Sequence, residues 1–517
     1  MAAPTADTFA RLARLVALPE RADRPTREIR EVFTGRPLAT IPVGDGADAV
    51  EAVERARIAQ RLWAARTPAQ RAQVFYRFHD LVLANREALL DMAQAETGKA
   101  RSSALEEVLD IAMTARHYAR TGPKTLASRR VPGMIPGATK TVVRHQPKGV
   151  VGIISPWNYP MTLAVSDAVP ALLAGNAVVL KPDSQTPYCA LAVVELLYRA
   201  GLPRELFAVV PGPGAVVGTA LVENTDFLMF TGSTATGKLL AEQAARRLID
   251  YSAELGGKNA MIVARGANLK KVADAAVRAC FSNSGQLCIS IERIYVERSI
   301  ADEFTAILTE RVKNMTMGPG YGFGVEMGSL ISQSQLDTVT AHVEDAVAKG
   351  ATVLAGGKAR PDLGPLFFEP TLLADVTEPM TCFGEETFGP LVSIYPVDSI
   401  DEAVQRANDT EYGLNASVWA ATGAAGEAIA ARLRAGTVNV DEGYAPAWGS
   451  TAAPMGGMGE SGVGRRHGET GVLKYTEAQT VATQRVTGMA GPSWMPPKLW
   501  AKTLPVAIKA MSYLPGR

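Results

Sequence analysis

Four cysteines in 517 residues (Cys189, Cys280, Cys288 and Cys382) are too few and too scattered for a disulfide framework or a Cys-x-x-Cys metal pattern. No metal is expected, and such cysteine usage predicts a reducing, cytoplasmic setting. Net charge is nearly absent as well. Lys plus Arg is 53 and Asp plus Glu is 52, a balance of +1 that offers no global field to a nucleic acid. No apolar run approaches the roughly 20 residues of a membrane span. Met1 to Asp7 lacks the basic start and apolar stretch of a secretory leader, so none is expected. Histidine is also scarce. His79, His117, His145, His342 and His467 sit in no motif with a cysteine, which leaves a cysteine hydrolase without an evident base.

What remains is the composition of a globular enzyme, 47% hydrophobic and 20% charged, in a chain long enough for two or three packed units. Residues 1 to about 45 read as mostly irregular. Apolar residues at helical spacing predict long amphipathic helices over Ala47–Leu81 and Glu87–Tyr118, with packing against a sheet as their role. Gly and Pro then break the chain between Gly122 and Gln146, and the alternation at Thr141–His145 predicts a protruding hairpin whose free edge wants a partner. From Lys148 the texture is α/β. Apolar runs at Val150–Ile154, Ala177–Leu180, Phe207–Val210 and Phe227–Phe230 alternate with helical stretches, the pattern of a parallel, doubly wound sheet with its ligand at the carboxyl ends. After Glu254 a second α/β portion begins, with strands at Ala260–Val263, Arg293–Val296 and Ala416–Trp419 and helices at Leu269–Cys280 and Ile300–Asn314. Gly443–Gly464 reads as a long glycine-rich loop built for binding.

The chemistry concentrates in short segments at strand ends. Phe230-Thr231-Gly232-Ser233-Thr234-Ala235-Thr236-Gly237-Lys238 leaves a strand and opens a helix, where free N–H groups and the helix dipole suit a phosphate. Leu239 occupies the place of the magnesium-binding hydroxyl of a triphosphatase, which disfavours that class. Gly212–Gly218 is a dinucleotide fingerprint only in part, because Val217 stands at its third glycine. Asn158, in Pro156-Trp157-Asn158-Tyr159-Pro160, has amide donors suited to an oxyanion, although an Asx turn before Pro160 explains it equally well. Lys181, in Lys181-Pro182-Asp183-Ser184, is a point charge for ribose or phosphate. Cys288 alone would pass for a buried apolar filler. Thirty-four positions upstream, however, lies a carboxylate on the turn Glu254-Leu255-Gly256-Gly257-Lys258.

Taken together, Pro156-Trp157-Asn158, Lys181-Pro182, Gly232–Gly237, Glu254–Lys258, Gly285-Gln286-Leu287-Cys288 and Glu386-Thr387-Phe388-Gly389-Pro390 resemble the aldehyde dehydrogenase superfamily in order and spacing, over roughly residues 30 to 485. The resemblance implies a Rossmann-like cofactor domain (1–125 and 147–253), a second α/β catalytic domain (254–465), small β oligomerisation strands (126–146 and 466–490) and a tail (491–517). It further implies a homodimer or homotetramer acting on a small-molecule aldehyde. Cys288 would attack the carbonyl, Asn158 and the Cys288 N–H would hold the oxyanion, and Glu254 would activate water against the resulting thioester. Glu386 would hold the nicotinamide ribose with Phe388 packed nearby. Trp157, Lys181, Gly232, Ser233 and Leu255 would line the cofactor cleft. An enzyme that passes its thioester to coenzyme A is disfavoured by Glu254.

Members that prefer NAD resemble Lys-x-x-Glu where this chain has Ser184, so NADP is the expected cofactor and NAD the weaker alternative. The segment Gly175–Pro187 is similar to bacterial NADP-type succinate-semialdehyde dehydrogenases. The arginines that such enzymes place after the Asn motif and before the cysteine are missing, since Met161–Gly175 holds no basic residue and the second place is Ser282. Arg465 and Arg466 are the candidate replacements. Arg466 stands where many members carry Glu, and bracing a loop or a subunit contact is an equal alternative. Tyr159, Tyr444 and Trp448 would instead line an apolar tunnel for longer or aromatic aldehydes. Beyond Glu477 no acidic residue remains, and the basic and aromatic tail has the composition of a membrane-surface segment. Its prolines are expected to interrupt any long helix, and docking on a neighbouring subunit is the favoured alternative.

Overall fold

In the computed structural model the described residues are 2–133, 139–485, 488, 490–511 and 513. Their architecture follows from two runs of apolar strands. The strands Val150–Ile154, Ala177–Lys181, Phe207–Val209 and Phe227–Thr231 are buried along their length, as sheets covered by helices on both faces require. They pair in parallel, and with Asp250–Glu254 and the short Gly462–Val463 they form a six-stranded sheet. Its core runs from Phe9 to Leu255 and takes in Val472 and Tyr475.

The second sheet has seven strands, in the order Thr352–Ala355, Thr371–Ala374, Leu391–Val397, Ile291–Glu297, Asn259–Val263, Asn415–Trp419 and Thr437–Val440. All its pairs are parallel except the first. Side chains alternate across a strand. Ala260 and Ile262 therefore enter the core on one face, and Met261 and Val263 that on the other. A third, antiparallel sheet joins Thr476–Gln484 to Thr139–Pro147 and Arg129–Val131. The hairpin is thus present as two paired strands, and its tip at 134–138 lies outside the described residues.

Several expectations are corrected. The first 45 residues are not mostly irregular. They hold the helix Ala6–Ala13, capped by the Thr5 side chain, and the antiparallel pair Thr26–Arg30 and Pro37–Pro42. The break placed at Gly122 is instead the last part of the helix Arg101–Thr125. Gly122 is there because the helix lies against Leu173, where a Cβ would fall 2.3 Å from a methyl carbon. Gly443–Gly464 is not a free loop, since it contains the short helix Ala445–Gly449 and the strand that closes the first sheet against Glu254. In the tail, Pro497–Met511 is one helix despite Pro505. Its opening proline loses no intrahelical bond, so only the interior one removes a donor. Among the described residues no helix is long and apolar enough to cross a membrane.

The sheets are tied together by buried polar side chains. Asn176 accepts from the Gly149 N–H at 2.8 Å and donates to the carbonyls of Ala171 at 2.9 Å and Tyr475 at 3.0 Å, joining the six-stranded sheet to the turn before Thr476–Gln484. Asn176→Ala leaves buried groups unpaired and should cost about 3 kcal/mol, read as a fall in Tm by calorimetry.

Candidate active site

The carboxyl ends of the first sheet carry most of the expected site. Glu254 and Thr231 are register partners at the ends of adjacent strands, Lys181 ends the next strand but one, and Trp157 and Asn158 follow Ile154. Across from them the second sheet presents Cys288. A cleft of about 290 Å³ is lined by Trp157, Asn158, Thr231, Gly232, Ser233, Glu254, Leu255, Cys288, Gln335, Glu386 and Phe388. Nine of these were singled out from sequence. Thr231 was quoted only within its motif, and Gln335, whose amide donates to the Phe388 carbonyl at 2.8 Å, was missed.

The loop that carries Cys288 is forced by backbone geometry. Asn283, Ser284 and Gly285 are consecutive left-handed residues. At Gly285 a Cβ would lie 2.0 Å from the Gly389 carbonyl oxygen, so this turn and the Glu386–Pro390 segment touch only because the side chain is absent. Asn259 then fixes the nucleophile's backbone by donating to the Cys288 carbonyl at 2.8 Å and the Ser290 carbonyl at 2.7 Å. The thiol is half-buried. Burial, with the carboxylates of Glu254 and Glu386, pushes its pKa up to about 12.

Asn158 is buried and donates its amide to the Gln286 carbonyl at 3.2 Å. Its own carbonyl accepts from Lys99 Nζ at 2.6 Å and from Asn283 at 3.1 Å. Lys99 is paired with Glu107 at 2.7 Å, both side chains fully buried, and Glu107 also accepts the N–H of Met161 at 2.8 Å. The helices read as plain packing therefore hold the oxyanion loop. Sequence offered little signal for this, because the buried face of Arg101–Thr125 carries Arg101, Ser103, Asp110 and Thr114 as well as Glu107. Glu292 was missed in the same way. It sits in a wholly buried strand, pairs with Lys258, and accepts the N–H groups of Thr387 and Phe388. Phe388, held at φ 53°, meets the Trp157 ring edge-on with centroids 5.5 Å apart.

Glu254 is buried, and its Oε1 has no hydrogen-bond partner. Burial raises its pKa to about 7, opposed by Arg466, Lys474 and Arg465 and aided by Asp167. Glu386 accepts from the Gly257 N–H at 2.8 Å, and burial raises it to about 8.

The cofactor side can be tested for fit to a phosphate-bearing nucleotide. Lys181 is buried and its pKa is depressed by burial and by Arg27, although Asp183 opposes this, so an anion beside it would relieve a real cost. Asp183 accepts from the Gln185 N–H at 2.8 Å, and Ser184 donates to the Gly212 carbonyl at 3.3 Å. Pro182 is buried between them. Ser233 caps the helix Thr234–Arg247 next to Gly232. These residues fit such a group.

The three expected substrate residues divide. Tyr159 is packed with Leu163, Leu287, Ile289, Leu414 and Tyr444, and Cys288 and Trp448 lie against that cluster. The hydroxyls of Tyr159 and Tyr444 donate to Glu106 at 3.0 and 2.7 Å, and those of Tyr444 and Ser282 lie 2.9 Å apart. Arg466 is the correction. It does not line the cleft. It is paired with Asp167 at 2.6 Å, behind Glu254, because an arginine buried at this depth needs a counter-charge.

A neutral resting thiol has a direct consequence. Iodoacetamide labelling of Cys288 should climb roughly tenfold per pH unit between 7 and 10, and Glu254→Gln should speed it severalfold at pH 9 by removing a like charge.

The same chain was compared with known proteins. The model of the aldehyde dehydrogenase family matches residues 20–481. A Mycolicibacterium smegmatis protein, named as a candidate NADP(+) succinate-semialdehyde dehydrogenase, is 65% identical over 517 residues and the whole of both chains. A Mycobacterium tuberculosis protein of the same designation is 64% identical over the same span, and a Sinorhizobium fredii one 38% over 86% of this chain and 90% of its own. Among solved structures, an Escherichia coli NADP-dependent enzyme superposes with TM-score 0.87 at 33% identity, covering 92% of this chain and 99% of the other. The NAD+ complex of a Bacillus cereus aldehyde dehydrogenase gives 0.85 at 35%, covering 89% and 93%. Asn158, Glu254 and Cys288 meet in one cleft, and the chain that brings them there belongs to the aldehyde dehydrogenase family.

Proposed function

We propose that the protein oxidises succinate semialdehyde to succinate with NADP+. The observation that carries this reading is the full-length identity of 64–65% to relatives bearing that designation, joined to a serine, not a carboxylate, at position 184. The Cys288 thiol loses its proton to water and Sγ bonds to the aldehyde carbon as the C=O electron pair moves to oxygen. The oxyanion so formed takes hydrogen bonds from the Asn158 amide, which leaves the Gln286 carbonyl to do so, and from the Cys288 N–H. NADP+, when bound, supplies the two-electron oxidation that turns the thiohemiacetal into a thioester. Lys181, Ser184 and the Gly232–Ser233 turn would hold its adenosine end, with Pro182, Asp183 and Leu255 around it. Glu386, Phe388 and Trp157, which line the cleft beside Cys288, would hold the nicotinamide end. Glu254 then takes a proton from water, the hydroxide adds to the thioester carbon, and the C–S bond breaks to give the acid and free Cys288.

A second reading, a broader aliphatic or aromatic aldehyde dehydrogenase, is favoured by one observation. The wall of Tyr159, Tyr444 and Trp448 beside the thiol is aromatic, and both tyrosine hydroxyls end on Glu106, whose pKa burial pushes up. The antiparallel sheet of Arg129–Val131, Thr139–Pro147 and Thr476–Gln484 is the element we assign to assembly of a homodimer or homotetramer, because among the described residues its two outer strands each pair with the central strand alone.

Absorbance at 340 nm with NADP+ and succinate semialdehyde, hexanal and benzaldehyde separates the readings, and a kcat/KM lowest for succinate semialdehyde overturns the first. Cys288→Ala should abolish the signal. With Ser184→Glu, a carboxylate about 4 Å from a 2′-phosphate costs on the order of 4 kcal/mol. Its kcat/KM with NADP+ should drop roughly a thousandfold while that with NAD+ is kept or rises. Because Glu254 must be deprotonated to act, kcat should rise with pH through about 7. Glu254→Gln should keep the initial burst of NADPH but slow turnover by roughly 10²- to 10⁴-fold.

A further inference from the structure

Arg466 keeps its charge in a buried ion pair, while its backbone bridges to Met455. Its guanidinium, 11% exposed, pairs with Asp167 Oδ2 at 2.6 Å and donates to Thr231 Oγ1 at 2.8 Å. Thr231 is the register partner of Glu254 and lines the cleft, so the guanidinium reaches the site from behind. Lys474 approaches from the same side. Its Nζ donates to Asp167 Oδ1 at 3.1 Å and to Ser252 Oγ at 3.2 Å, and Ser252 is two residues before Glu254, hence on the same face of the strand. Tyr475 donates to Asp167 at 3.0 Å. Six buried polar atoms here lack a hydrogen-bond partner among the described residues: Arg466 Nε, Glu254 Oε1, Asp110 Oδ1, Tyr118 OH, His467 Nδ1 and Asp167 Oδ2, the last held by Arg466 as an ion pair. The pocket between Arg466, Asp167, Asp110, Tyr118 and His467 holds about 10 Å³, room for one water.

A buried ion pair of this kind is a costly way to brace a loop, since apolar side chains of similar volume do so at least as well. Its placement has an electrostatic effect that apolar packing lacks. The charged groups facing Glu254 are Arg466, Lys474 and Arg465, which favour its ionised form, and Asp167 and Cys288, which oppose it when charged.

We propose that Arg466 and Asp167 are positioning residues for Glu254, a pair whose opposed charges set the pH at which that carboxylate becomes able to take a proton from water. The inference rests on the reading of Glu254 as the base. Burial alone would keep the carboxyl protonated near neutrality, and Arg466 is the first of the groups that bring its pKa back down to about 7. Asp167 keeps Arg466 charged and moderates its pull.

The test isolates thioester hydrolysis from the cofactor. Full-length enzyme is acylated with p-nitrophenyl acetate, which releases p-nitrophenol and leaves an acetyl thioester on Cys288. Decay of the acetyl-enzyme to free thiol and acetate is then followed by intact mass from pH 5.5 to 9.5. Arg466→Gln should move the midpoint of the decay profile to higher pH, slowing decay at pH 7 roughly fivefold, with the deficit shrinking toward pH 9. Asp167→Asn should move it the opposite way, and Arg466→Lys, which keeps the charge, should stay near the wild-type midpoint. Opposite displacements are not what a merely structural pair would give. Midpoints that coincide with wild type, or that move together, overturn the proposal. If Arg466→Gln fails to fold, the contrast between Arg466→Lys and Asp167→Asn decides by the same criterion. In Glu254→Gln the decay should lose its pH dependence. A wild-type profile there would instead sink the assignment of the base and leave the midpoint test of the pair to be read for another group.

Discussion

Glu254 is a carboxylate in a dry place, and much of the surrounding architecture answers to that fact. It ends a strand of the first sheet, is buried, and has one oxygen without a partner. A carboxyl in such surroundings prefers to stay protonated, because no solvent pays for its charge. Three charged side chains, Arg465, Arg466 and Lys474 from the stretch after the Gly462–Val463 strand, pull its pKa back down, while Asp167, at the start of the buried helix Ala168–Ala174, opposes them. The chain thus places its charges behind the carboxylate, leaving the front open to the cleft that Cys288 lines.

The same economy recurs around the nucleophile. Burial and two carboxylates hold the pKa of the Cys288 thiol high, against a smaller opposing pull from Arg466 and the Cys288 backbone N–H. What the fold supplies is position. The left-handed turn at Asn283–Gly285, the Asn259 amide on the Cys288 carbonyl, and the Lys99–Glu107 pair beneath Asn158 fix the backbone on which the reacting atoms sit. The Asn259 and Lys99–Glu107 contacts are buried and polar. Such contacts specify one arrangement, because breaking one leaves a group unpaired in low dielectric. The two sheets meet here through side chains of modest number and high cost of loss.

How far the site could be read before folding depends on range. Phe230–Lys238 was legible because a strand, a tight turn and a helix cap are local events, and Ser233 caps the helix as its position implied. The Glu254 and Cys288 turns were legible for the same reason. Helix ends and glycines were less so. Gly122 looked like a break and is a packing contact with Leu173, since a glycine reports that a side chain is missing without saying what takes its space. The first 45 residues looked irregular because their strands are short and mostly exposed, with weak alternation.

The sequence by itself determined the chemistry: a thiol, a carboxylate and an amide donor in segments whose local conformation follows from their own residues, together with two parallel sheets written as buried apolar strands. Only the tertiary structure decided what each charged side chain serves. Arg466 could not be told from a substrate clamp until Asp167, far away along the chain, was seen beside it. Lys99, Glu107 and Glu292 could not be told from surface charges until the helices and strands closed over them. The reason is physical. A covalent neighbour sets backbone geometry, but the worth of a charge is set by the dielectric and the counter-charge around it, and both exist only once distant segments have packed.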